Sequence, residues 1–272
     1  MSLAAILAAG ASGDVGWWGL AASLLMVLGV ALLSWRQKLR LEKDLAIAVV
    51  RSLGQMLLVG VALGLIVDPS TWVGWSFAWV AGMIVFAAFT ISRRAPMLPG
   101  VLGVAFAAVT ASAVAGLGLV FALGIFPVEG RTVVPLAGMV VGNSLAAGVL
   151  TVRRLVEAVA ERRADLEARL ALGLPWQRAV RPTVRNVLRT GIAPDVERIK
   201  ALGIVVLPGA MTGLILAGVK PLDAVRVQLA LMYVILGAVT TTATVVALLG
   251  TRRLFTPDHR LLPLARDAQD EG

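Results

Sequence analysis

Long apolar runs alternate with short basic segments along the chain. A helix crosses the hydrocarbon core of a bilayer with about 20 residues. Runs near that length fall at residues 17–34, 45–67, 72–91, 98–126, 133–152, 201–218 and 222–249. Arg51 interrupts the second run. Trp72, Trp75 and Trp79 gather at one end of the third, like an interfacial belt. The seventh run is long enough to tilt, or to begin in the interface around Arg226. The pattern predicts an all-α polytopic membrane protein with about seven transmembrane helices.

Orientation follows from the cations. Arg36, Lys38, Arg40 and Lys43 follow the first run, Arg93 and Arg94 the third, an arginine-dense segment the fifth, and Arg252 and Arg253 the seventh. The alternate loops carry only Arg131, Lys220 and Arg226. Basic loops stay in the cytoplasm, so seven crossings place the N-terminus outside and the C-terminus inside. Residues 1–16 contain an apolar run with no cation before it, unlike a secretory signal, and form an interfacial or disordered leader. The expected transmembrane domain is then 17–253, with 254–272 a cytoplasmic tail.

Composition sharpens this reading. Hydrophobic residues make up 58% of the 272 and charged residues 15%, an excess that no soluble core accommodates. The net charge of +9 sits in loops beside apolar spans, without aromatic residues interleaved to stack bases, so nucleic acid is not the expected partner. The absence of cysteine excludes disulfides, thiolate metal sites and Cys nucleophiles. His259 is the single histidine, outside the spans, and no role is assigned to it.

Residues 153–200 are too many for a plain turn. Leu155, Val159, Leu166 and Leu170 form one apolar stripe, with Asp165 and Arg169 four apart on the polar side, so the fifth span continues as a helix into the cytoplasm. Gly173 ends that helix and Pro175 opens the next, a short one over 176–180, after which 182–189 returns toward the membrane. An excursion of this kind suits docking on a motor domain. Glu167-Ala168, with Gly173 six residues after the glutamate, resembles the EAA loop of ABC permeases, although the I-x-L-P element is missing at its usual spacing. The resemblance implies ATPase docking through Glu167, Gly173, Pro175 and Trp176.

Taken in order, KLRLEKD (38–44), RSLGQ (51–55), PLAGMVVGNS (135–144), LEARLALG (166–173), RTGIAPDV (189–196) and LPGAMTGLILAG (207–218) resemble the FetB-like iron-export permease family, whose plant relatives act in aluminium tolerance. The likeness covers roughly residues 20–262. It implies a permease that forms a homodimer in the plasma membrane (the inner membrane of a bacterium) and pairs with two copies of a separate ATP-binding subunit. The chain itself then binds no cofactor, and ATP-Mg belongs to the partner. No G-x-x-x-x-G-K-[ST] phosphate loop is present, in keeping with a motor on another chain.

Candidate path residues are the polar and thioether groups within spans. Arg51, with Gln55 one turn on, either holds an anionic group or snorkels to the surface. Met139, Asn143 and Ser144 in the fifth span, and Met211 and Thr212 beside a Pro208-Gly209 helix break, offer weak metal contacts or interhelical hydrogen bonds. Thr240, with Thr241, Thr242 and Thr244, lines a hydrated route or bonds its own backbone. Glu42 and Asp44 lie at the cytoplasmic mouth, recruiting cations or pairing with Arg40 and Lys43. Glycines such as 54, 60, 64, 138, 142 and 148 permit close helix approach.

The leading expectation is a non-enzymatic export permease for iron or another metal ion. The spans hold none of the strong iron ligands, so the cargo crosses through weak oxygen and thioether contacts, or is a chelate or another metabolite. An organic anion or nucleotide sugar, its charge held by Arg51, is the second reading; a membrane receptor or scaffold is a third. Single cysteines introduced within 153–200 should react with an impermeant maleimide only after permeabilisation. Labelling in intact cells would overturn the topology.

Overall fold

A computed structural model describes residues 17–66, 72–203, 208–256, 258 and 260–262. The leader, Val67, 204–207, His259 and most of the tail lie outside the described residues. Those described are helical apart from turns and isolated bridge residues, among them Phe255 paired with Leu261. The helices are α1 (Trp17–Arg36), α2 (Glu42–Ile66), α3 (Gly74–Arg94), α4 (Val101–Ala122), α5 (Gly130–Glu161), α6 (Arg163–Ala171), α7 (Trp176–Lys200), α8 (Gly209–Leu216) and α9 (Pro221–Leu254).

Among the described residues α2, α3, α4, α5 and α9 are long and apolar enough to cross a membrane. α1 is a further apolar helix of 20 residues, Trp17–Arg36. The sixth expected span, 201–218, is represented by α8, whose 8 residues extend roughly 12 Å. Residues 204–207 lie outside the described residues, so the expected Pro208-Gly209 break is seen only from its C-terminal side. Pro208 stands at the N-cap, where a missing N–H costs nothing.

The chain divides into two compact units, one reaching Leu65 and the other starting at Ile66. In the first, a tight turn joins α1 to α2. The buried Ser34 hydroxyl donates to Glu42 Oε1 at 2.8 Å and accepts from the Leu41 amide at 3.1 Å. Of the two expected roles for Glu42, pairing with Arg40 or Lys43 is not seen among the described residues, where its carboxylate accepts from Ser34 instead.

In the second unit α4 packs against α9, α5 and α3, and α5 also packs against α9 and α3. The contact surfaces are small: Ala105, Ala108, Ala113, Ala137, Ala238, Ala243 and Ala247 are all buried. Lipid offers no hydrophobic drive between helices, so close van der Waals approach carries the association. Gly148 is the tightest contact between helices, since a Cβ there would stand 2.7 Å from Ile91 Cδ1. At Gly142 in the same unit a Cβ meets nothing within 4 Å, so close approach accounts for Gly148 and not for Gly142; within the first unit nothing packs on Gly54, Gly60 or Gly64 either. Outward, α4 shows Leu102, Phe106, Val114 and Leu119, a surface for acyl chains.

The basic ends of this unit meet. Arg153 donates to the Arg94 carbonyl through Nε (3.2 Å) and Nη2 (2.7 Å), and the Arg253 guanidinium lies beside Gly100. Beyond them α5 continues to Glu161, as its stripe of Leu155 and Val159 requires: both are fully buried. One residue interrupts the helix before α6, where Leu166 is buried and Arg169 pairs with Asp165 at 3.0 Å.

The expected short helix over 176–180 is instead the first turn and a half of α7, a 25-residue helix that runs through Pro182 and Pro194. Neither proline ends it. The buried stripe of Ala179, Val180, Thr183, Val187 and Gly191 holds α7 along α5 and α9, so packing overrides the proline penalty. Gly148→Leu should destabilise the detergent-solubilised protein by about 1–3 kcal/mol in thermal unfolding, whereas Gly142→Leu should leave it near wild type. Equal losses would refute the assignment of the close contact to Gly148.

Candidate functional site

Met139, Asn143 and Ser144 share α5, and their surroundings separate them. Ser144 is fully buried, and its hydroxyl lies 2.8 Å from that of Ser112 on α4. Ser112 also donates to the Val109 carbonyl at 3.0 Å, which fixes its rotamer. The pair ties α4 to α5 within the hydrocarbon depth. Ser112 was not among the sequence candidates, because nothing in its apolar surroundings signals a partner 32 residues away.

Asn143 is half-buried and its Nδ2 donates to the Met139 carbonyl at 2.7 Å, closing a local ring on α5. Its Oδ1 is the atom left to meet a ligand. Met139 packs against Ala147, Ile235 and Val239, so its thioether lies at the α5–α9 contact. On α9, Thr241 and Thr244 donate to the carbonyls of Gly237 (2.8 Å) and Thr240 (2.7 Å), the self-bonding alternative. Thr240 is half-buried, and Thr242 is fully buried with no partner for its hydroxyl. On α8, Thr212 is exposed and bonds the Pro208 carbonyl at 3.3 Å, while Met211 is half-buried.

In the first unit Arg51 and Gln55 are both exposed one turn apart on α2, and Asp44 is exposed near its start. The apolar window of α2 has no residue buried. Arg51 thus stands on a surface of Ile47, Val50, Met56 and Leu58, all largely exposed. Among the described residues no group of three His, Asp or Glu is placed to hold a metal ion.

The docking candidates cluster at the α6–α7 turn. Gly173 has φ +85°, the left-handed region that only glycine enters without strain, and closes α6 with bonds from its own amide to the Leu170 carbonyl and from the Leu174 amide to Arg169. Pro175 caps α7. Glu167 pairs with Arg163 at 2.8 Å on the exposed side of α6. Trp176 turns inward, its ring stacked on Phe255 at 5.4 Å and 12°. The projecting side chains are its neighbours Leu172, 80% exposed, and Leu174. Phe255 is held in turn by the antiparallel bridge to Leu261.

Apolar spanning helices, a packed small-residue core and a helical arm beyond the basic ends define a multi-pass α-helical membrane protein. The chain belongs to the uncharacterised protein family UPF0014, matched over residues 17–255. It is 32% identical over 241 residues to the membrane protein STAR2 of rice, covering 89% of this chain and 84% of that one. YjkA of Bacillus subtilis is 32% identical over 244 residues, with coverages of 89% and 96%. The probable iron export permease protein FetB of Escherichia coli is 29% identical over 245 residues, with coverages of 89% and 93%. No solved structure matches the chain significantly. The FetB-like resemblance is thus established at the level of the family.

Removing the Trp176 ring should free the C-terminal hairpin. An aromatic pair contributes about 0.5–1.5 kcal/mol, so Trp176→Ala should speed tryptic cleavage after Arg260 by roughly 2- to 10-fold, with Trp176→Phe near wild type. Unchanged cleavage in both would mean that the stack holds nothing.

Proposed function

We propose that this chain is the membrane-spanning permease subunit of an ABC exporter of a metal ion, iron by analogy with the name of the Escherichia coli relative. The carrying observation is the α5–α6–α7 arm. A span runs without a break past the basic end of the unit, then turns at a glycine whose two flanking leucines face outward. Exposed leucines on a rigid helical corner serve little purpose in water alone, and suit insertion into a cleft of a separate ATP-binding subunit. Two such subunits, each holding ATP-Mg, would act on a permease homodimer in the plasma membrane, the inner membrane of a bacterium.

The convergence of Arg93, Arg94, Arg153, Arg154, Arg252 and Arg253 supports a cytoplasmic location for that end of the unit. In this reading the N-terminus is outside and the chain makes seven crossings, with 201–218 completing the sixth through α8. In the second unit the path draws on Met139, Asn143 and Thr240, with Met211 and Thr212 as further contacts; in the first unit the candidates are Arg51 and Gln55, with Glu42 and Asp44 near the start of α2. Ser144 serves the path by holding α5 to α4.

One observation favours an organic anion, such as a nucleotide sugar, as cargo of the same machine. The Arg51 guanidinium stands exposed on an apolar helix surface, where an anion would compensate its charge. Reconstitution with the ATPase in liposomes separates the two: iron should stimulate hydrolysis, and Met139→Ala should reduce that stimulation. Stimulation by a nucleotide sugar alone, lost in Arg51→Ala, would replace the metal reading. Leu172→Asp should weaken co-purification of the ATPase about 10-fold or more, since a charge would be forced into the cleft. Full complex formation in that variant would remove the arm as the docking element.

A further inference from the structure

On α7, Arg178, Arg181, Arg185 and Arg189 occur with no carboxylate from Trp176 up to Asp195. All four are exposed, and none has an ion pair or hydrogen bond among the described residues. The buried stripe of α7 faces α5 and α9, which leaves Arg181, Arg185 and Arg189, spaced by four, as one cationic ridge.

Where this ridge begins, a cleft of about 410 Å³ opens between α7 and the last turns of α9. Its walls are apolar: Val180 and Val184 from α7, Val245, Leu248 and Leu249 from α9. Leu248 is 56% exposed, so the wall runs on into the lipid-facing surface of a membrane-spanning helix. Arg181 and Arg252, neither of them paired among the described residues, stand at the same cleft, and Trp176 lines it beside them.

The two halves ask for different things. Unpaired guanidiniums match a phosphate, and valine and leucine walls open to the bilayer match an acyl chain. A soluble anion would satisfy only the first half, and a neutral lipid only the second. We propose that this cleft binds one anionic phospholipid, its phosphate on Arg181 and Arg252 and an acyl chain along Val184, Val245 and Leu248. Trp176 then sits at headgroup level, as interfacial tryptophans do. The site joins the cytoplasmic arm to the membrane through a lipid, independently of what the protein transports.

Native mass spectrometry of the full chain in detergent, titrated with dioleoyl phosphatidylglycerol or dioleoyl phosphatidylcholine, tests this. The anionic lipid should be retained in preference. Each arginine near an anionic headgroup contributes about 1 kcal/mol, so the double variant R181Q/R252Q should lose about 30-fold in affinity for phosphatidylglycerol. R181K/R252K, which keeps the charge, should retain most of it, and R154Q/R198Q, which removes two arginines elsewhere, should bind as wild type. Equal retention of the two lipids, or no loss in a folded R181Q/R252Q, overturns the proposal. So does displacement of phosphatidylglycerol by an equal concentration of glycerol phosphate, which would make the site one for soluble phosphate. If R181Q/R252Q fails to fold, the wild-type competition among the three probes decides alone.

Discussion

Helices in hydrocarbon gain nothing by hiding apolar side chains from lipid, so their association rests on how closely their backbones approach. In this protein that approach is made where α5 passes α3 and α9. Ile91 fills the space above Gly148, and Thr242 touches the same position from the other side. A similar contact, Gly250 against Leu98 and Leu155, closes the basic end of the unit. The helical arm is mounted on these contacts, since its stripe of Leu155, Val159 and Leu166 continues the buried face of α5.

This arrangement keeps the arm packed along the long apolar helices of the second unit. The arm is part of a spanning helix, and α7 returns along α5 and α9 instead of hanging free. Its far end is tied twice, by the Schellman turn at Gly173 and by the Trp176–Phe255 stack. A force applied at Leu172 would therefore reach α5 and α9 together. A lipid in the α7–α9 cleft would brace the same joint from the membrane side.

Polar groups within the spans fall into two sorts. Ser112, Ser144, Thr241 and Thr244 spend their hydroxyls on neighbouring helices or on their own backbone. Asn143, Thr240 and the exposed Arg51 retain capacity for something else.

Much of this was legible in the sequence. Hydropathy marked the spans that became α2 to α5 and α9, because a bilayer imposes length and apolarity on each helix separately. The four, seven and four spacing of Leu155, Val159, Leu166 and Leu170 foretold the helices of the arm but not their break at Arg162, and Gly173 foretold its corner, since a left-handed residue is a local requirement. Local rules misjudged α7, where the short helix expected over 176–180 runs on through Pro182. Tertiary structure alone decided that Ser144 faces Ser112, that Trp176 turns to Phe255 and leaves Leu172 outside, and that Arg181 and Arg252 share one cleft. Each of these depends on which helix lies alongside which, and no periodicity within one helix encodes its neighbour.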